Sequence, residues 1–195
     1  MGTDCAPFLA NLFLYSYESE WMSKKFEEKN FDMLHKFQYC SRYIDDLLCI
    51  NNDQAMDAVM NDIYPSELNL TTDGALLQSN YLDLGLEIVN NKIRYKLFDK
   101  RDAFGFEIVN FPDLSGNIPR KQSYGVFVSQ LIRYARCCQD VSDFRQAILA
   151  LVGRLTQQRF SIGQLRRSFV KFVDSYYDLV YKYGVNVCDT CLKDF

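Results

Sequence analysis

Phe37-Gln38-Tyr39-Cys40-Ser41-Arg42-Tyr43-Ile44-Asp45-Asp46-Leu47-Leu48-Cys49-Ile50 is the stretch on which the reading of this chain turns. Two short β-favouring runs, 37–44 and 47–50, flank Asp45-Asp46, which predicts a hairpin with two carboxylates at its tip. Adjacent carboxylates on a tight turn offer hard oxygen ligands to Mg²⁺ or Mn²⁺, while the strands hold them in place. An Asp-Asp turn alone equally suits a solvated loop, so the surrounding sequence has to decide. Arg42 reads as an ordinary surface arginine.

Upstream, Pro7 fits the first turn of a helix whose apolar residues, including Leu9, Leu12, Phe13, Leu14 and Tyr17, fall on nearly every face; this predicts a buried helix. Downstream, Asn52 or Asp53 can cap a helix with the stripe Met56, Val59, Met60 and Ile63, ended by Pro65. Residues 82–98 alternate apolar and polar around Asn90-Asn91. A two-residue turn there pairs Ile88 with Ile93, Leu86 with Tyr95 and Leu84 with Leu97 on one buried face, and Glu87 with Arg94 on the other. Pro112, Ser115, Gly116, Asn117 and Pro119 then mark a boundary, giving domains 1–117 and 118–195. Beyond it, 124–138, 142–158 and 161–183 have helical periodicity and predict a three-helix bundle. The fold class is α+β: an antiparallel sheet with helices on one face, followed by an α-helical bundle.

The 195 residues carry a net charge of −3, which conceals an asymmetry. Residues 1–117 hold 10 Lys or Arg against 19 Asp or Glu, whereas 118–171 hold 10 against 2. A basic segment of that kind suits a phosphate backbone, although a solvated helical surface has the same composition. The seven cysteines are odd in number and scattered, which argues for reduced thiols and an intracellular protein, nucleus and cytoplasm undistinguished. Cys188 and Cys191 supply half a zinc site at most. No apolar run is long enough for a membrane helix. His35, the single histidine, reads as structural, and the aromatic residues 169–183 read as a helix-docking face.

Met1-Gly2-Thr3-Asp4-Cys5-Ala6-Pro7 resembles motif B of reverse transcriptases, and Tyr43-Ile44-Asp45-Asp46 resembles their YxDD motif C, in the right order and at helix-sized separation. Softer similarity runs through Tyr81 to Leu86 and Lys96 to Arg101, and the region from Phe111 to Cys137 is similar to the entry to the thumb in eukaryotic retroelement enzymes of Penelope-like or related kind. The resemblance implies a partial palm over 1–117, a thumb-like region over 118–195, and metal-dependent transfer of deoxynucleotides to a DNA primer on an RNA template. It assigns Asp45 and Asp46 as the catalytic, metal-binding carboxylates. It further implies that Gly2, Thr3, Asp4, Pro7 and Tyr43 lie beside template, primer end and nucleotide, and that Lys100, Arg101, Arg133 and Arg136 touch the nucleic-acid backbone. The family's motif A aspartate and fingers precede motif B and are not in the sequence, so the expectation is a fragment inactive by itself. Two other readings compete: a non-catalytic nucleic-acid-binding or interaction module derived from a retroelement, and a viral RNA-templated RNA polymerase, which Tyr-Ile-Asp-Asp fits less well.

Overall fold

The computed structural model describes every residue except 1–3, 53, 69, 73–76, 107, 110 and 194, and the side chains of 102 and 103. The chain is α+β and divides into two compact units, Met1–Leu76 and Leu77–Phe195. Among the described residues the strands form two separate antiparallel sheets, one in each unit.

The first unit contains α1 (Ala6–Glu27), α2 (Phe31–Lys36), the hairpin β1 (Cys40–Tyr43) and β2 (Asp46–Cys49), and α3 (Ala55–Ile63). Asn30 caps α2 by accepting from the Met33 amide at 3.2 Å. Gln54 holds the N-cap position of α3 without a side-chain hydrogen bond; Asn52, one of the two expected caps, is buried two residues earlier, where its Oδ1 accepts from the Met56 amide at 2.6 Å and its Nδ2 donates to the Lys36 carbonyl at 2.7 Å. Asp53, the other candidate cap, lies outside the described residues. Val59 and Ile63 on the α3 stripe join Trp21 and Tyr64 in a small core, with Leu14, Tyr17 and Phe37 against it.

The expectation of a buried α1 is corrected. Only Trp21 is buried along the helix, and Phe8, Leu9, Leu12, Phe13 and Tyr15 are exposed. Apolar residues on every face can be covered only by neighbours on every side, and the core of this unit meets α1 along one stripe, Leu14, Tyr17 and Trp21.

The second unit holds β3 (Gln78–Tyr81), β4 (Leu84–Val89), β5 (Lys92–Leu97), α4 (Arg120–Cys137), α5 (Val141–Gln157), α6 (Ile162–Ser175) and the short α7 (Tyr177–Val180) and α8 (Val187–Leu192). The β4–β5 register is the expected one, Leu84 with Leu97, Leu86 with Tyr95, Glu87 with Arg94 and Ile88 with Ile93. Asn90 and Asn91 make the turn at φ 51° and 58°, a left-handed conformation that asparagine tolerates. The apolar face is buried only towards its Leu84–Leu97 end; Ile88 and Ile93 beside the turn are exposed.

Helices α4, α5 and α6 form the expected bundle, closed by Phe127, Leu131, Tyr134, Phe144, Ile148, Leu151, Leu155, Leu165 and Phe169, all fully or nearly fully buried. The third predicted helix is shorter than its periodicity suggested. It stops at Ser175, and the chain breaks at Tyr176 so that Val180, Val187 and Cys191 can fold back into the same core. The three-stranded sheet belongs to this unit too, which places the division near 76 rather than at the expected 117. The physical reason is that a small sheet needs its apolar face covered; Leu97 lies against the helical core, and Asp83 and Asp99 take Arg133 and Arg154 from α4 and α5.

Asp99 follows the sheet and accepts from Arg101 Nη2 at 2.6 Å, Arg101 Nε at 2.8 Å and Arg154 Nη1 at 3.2 Å. The Arg101 hydrogen bonds hold its carboxyl well below the ordinary value of 3.8. A depressed carboxyl stabilises the fold above its unfolded value and ceases to do so as pH falls through the folded one. Asp99→Asn is therefore expected to melt lower than wild type near neutrality, with the gap narrowing below pH 3.8, in thermal melts across pH.

Candidate active site

The tip of the β1–β2 hairpin is closed by the facing pair Tyr43 and Asp46, leaving Ile44 and Asp45 as a two-residue turn. Ile44 has φ 54°, an unusual conformation for a β-branched residue and one that stores strain. Tyr43, Asp45 and Asp46 are exposed. Among the described residues, the Asp45 and Asp46 carboxylates form no hydrogen bond or ion pair. Two adjacent negative charges in water with no counter-charge suit a divalent cation, and Mg²⁺ is commonly held by one or two carboxylates together with substrate phosphates and water. Among the described residues no group of three or more His, Cys, Asp or Glu is placed to hold a metal.

The neighbour that fixes this tip is Arg42, whose alternation along β1 sends it to the face opposite Tyr43. Its side chain is 12% exposed. Its Nε donates to Glu18 Oε1 at 2.6 Å and its Nη2 to Glu18 Oε2 at 3.2 Å. Its Nη1 donates to Asn11 Oδ1 at 2.8 Å and to the Ile44 carbonyl at 3.2 Å. One planar guanidinium thus joins α1 to the strained turn. Tyr64, following α3, donates its hydroxyl to Glu18 Oε1 at 2.7 Å, and burial followed by that carboxylate raises its pKa. The surface-arginine reading of Arg42 is thereby corrected. No local sequence signal marks it, because its partners lie 24 and 31 residues away.

At the foot of the hairpin, Cys40 and Cys49 face each other across the strands. The facing Cys40 thiol and burial raise the Cys49 thiol above its ordinary range.

A second hairpin in the other unit provides a comparison. Tyr81 and Leu84 face each other across Leu82-Asp83, and Leu82 has φ 54°, the same local geometry as the Tyr43–Asp46 turn. There the aspartate is occupied: Arg133 Nη2 and Nε donate to Asp83 Oδ1 and Oδ2 at 2.6 and 2.8 Å. What distinguishes the first hairpin is not its backbone but its unpaired carboxylate pair.

The remaining predicted site residues fall as follows. Gly2 and Thr3 lie outside the described residues. Asp4 is exposed just before α1, and Pro7 is exposed in its first turn. Lys100 and Arg136 are exposed. Arg101 is bound to Asp99 and lies over the Phe111 ring at 5.4 Å, and Arg133 is bound to Asp83, so both guanidinia hold the second unit together. Cys191 is fully buried in the helical core, where burial pushes its thiol up to about 11; Cys188 beside it is also raised. His35 sits exposed with Nδ1 3.3 Å from the Phe31 carbonyl, a contact internal to α2. No described helix is long and apolar enough to cross a membrane. No protein-family model, no curated protein and no solved structure matches the chain.

Removing one partner of a well-buried ion pair costs roughly 3–5 kcal/mol, and Glu18 is partly exposed, so Arg42→Ala is expected to cost about 2–3 kcal/mol. Arg42→Lys should not restore it, because an ammonium cannot span both Glu18 oxygens, Asn11 and Ile44. Denaturant unfolding followed by the fluorescence of Trp21, the single tryptophan and a core residue of this unit, measures both.

Proposed function

We propose that this chain is part of an RNA-directed DNA polymerase, a reverse transcriptase of retroelement type, with the Asp45-Asp46 hairpin contributing two of its metal-binding carboxylates. The observation that carries the reading is the pair itself: two adjacent exposed carboxylates at the tip of a hairpin, without counter-charge among the described residues and with the turn braced by a largely buried guanidinium. Its residues form the Tyr-Ile-Asp-Asp sequence that resembles the family's motif C, and the motif B-like segment leads into α1, the helix that Arg42 grips.

On this reading Asp45 and Asp46 hold Mg²⁺ or Mn²⁺, which neutralises the deoxynucleoside triphosphate and assists in-line attack by the primer 3′-hydroxyl. Tyr43, facing Asp46 across the turn, lies beside the primer end, and Arg42 is a positioning residue. Lys100 and Arg136 remain candidate backbone contacts. Arg120, Lys121 and Arg167 of the second unit, which have no ion-pair or hydrogen-bond partner among the described residues, favour the competing reading, a nucleic-acid-binding module without catalysis.

Primer extension on an RNA template with Mg²⁺ decides between them, using the 195-residue chain and a version extended by any in-frame upstream sequence, each with and without Asp45→Ala. Extension that falls on the order of 10³-fold in Asp45→Ala supports the polymerase. Primer-template binding with no extension in either version, or extension indifferent to Asp45→Ala, overturns it.

A further inference from the structure

In the second unit, a cavity of about 860 Å³ opens between the first turns of α4 and α6. Its wall carries four cations, Arg120, Lys121, Arg159 and Arg167, with Tyr124, Ser161 and Gly163 between them. It is open to solvent, and all four cations are exposed. Among the described residues Arg120, Lys121 and Arg167 have no ion-pair or hydrogen-bond partner. Arg159 has Asp113 at 4.0 Å, whose Oδ1 also accepts from the Ser115 amide and hydroxyl, each at 2.7 Å. Four like charges around one cavity repel one another, and the one ion pair they make among the described residues is the long Arg159–Asp113 contact.

The helix ends add to that imbalance. Arg120 and Lys121 are the first two residues of α4, where the helix dipole is positive and anions, not cations, are stabilising. Neither α4 nor α6 has an acidic residue in its first turn. The first amides of α6 lack intrahelical acceptors, and Gly163 puts no side chain over them; a Cβ built there would meet only Ser161 Oγ, at 3.9 Å. Ser161 donates its amide to the Tyr124 hydroxyl at 3.0 Å, which ties the two helix ends together across the wall. Arg159 occupies the left-handed position after α5 at φ 66°, with the Arg159 amide on the Thr156 carbonyl and the Phe160 amide on the Leu155 carbonyl. Glycine is the usual residue there.

We infer that this cavity binds clustered phosphoryl groups, as presented by a free nucleoside polyphosphate or by the phosphorylated 5′ end of a nucleic-acid strand. The chemistry is the same for both sources: several negative oxygens met by guanidinia, an ammonium and helix-end amides. The inference does not rest on the polymerase reading, since it uses no residue of the Asp45-Asp46 hairpin.

The test is calorimetric titration of the whole chain with inorganic tripolyphosphate, at low and high salt. Saturable binding is expected, weakened by about tenfold in each of Arg120→Ala and Arg167→Ala and unchanged in Lys171→Ala, an exposed cation of α6 outside the cavity. Gly163→Asp guards against misfolding as an explanation. A carboxylate there suits the helix dipole, so the melting temperature should hold or rise while binding is lost. Competition by a 5′-phosphorylated oligonucleotide, against its 5′-hydroxyl counterpart and against ATP, then tells strand end from free nucleotide. The inference is overturned if wild type shows no saturable binding, if Lys171→Ala weakens it as much as the cavity variants do, or if Gly163→Asp binds like wild type. In buffer free of divalent cations, where the Asp45-Asp46 pair has no metal through which to hold a triphosphate, Asp45→Ala should leave the titration unchanged, which separates failure here from failure of the polymerase reading.

Discussion

The guanidinium of Arg42 is the contact on which the candidate site depends. A two-stranded hairpin is marginal in water by itself, and this one also bends a β-branched residue into the left-handed region at its tip. What holds it is a side chain that reaches from β1 to Glu18 and Asn11 on α1 while donating to the carbonyl of the bent residue. Glu18 in turn takes the Tyr64 hydroxyl, so one carboxylate joins α1, the hairpin and the chain leaving α3. Removing Glu18 leaves the largely buried Arg42 guanidinium without its counter-charge, which couples the members of the cluster to one another.

The two Tyr-x-Asp hairpins show how the same backbone serves two ends. Around Leu82-Asp83 the aspartate faces a helix and is neutralised by a bidentate arginine, so the turn fastens sheet to bundle. Around Ile44-Asp45 the arginine sits on the opposite face and grips α1, leaving the carboxylates in water. The position of one arginine, on the far side of the strand rather than in front of the aspartate, separates a structural turn from one that can bind a cation.

Local patterns in the sequence were sufficient for α1, α3, the two hairpins β1–β2 and β4–β5 and the bundle helices, but not for α2, β3 or α8. The Asn90-Asn91 turn determined a register that the alternation of Leu84, Leu86 and Ile88 demanded, and the bundle followed from helical stripes such as Ile148, Leu151 and Leu155. Burial was less legible. The apolar residues of α1 marked a helix but did not say that only one stripe of it would be covered, and the tail of aromatic residues after Ser175 concealed a chain reversal. The carboxylate pair was readable because its residues are adjacent. Arg42 and the four-cation cavity were not, because each unites residues from separate elements, and a count of charge along 118–171 cannot tell Arg133, locked to Asp83, from Arg120, which has no such partner.

Arg159 bears on how this protein would respond to engineering. A non-glycine residue in the left-handed region costs roughly 1–2 kcal/mol relative to a glycine free to adopt it. Any redesign scored on melting temperature alone would place glycine after α5 and count the change as an improvement. It would also strip one of four cations from the cavity wall, so that at this corner the more robust protein would be the one less able to hold an anion.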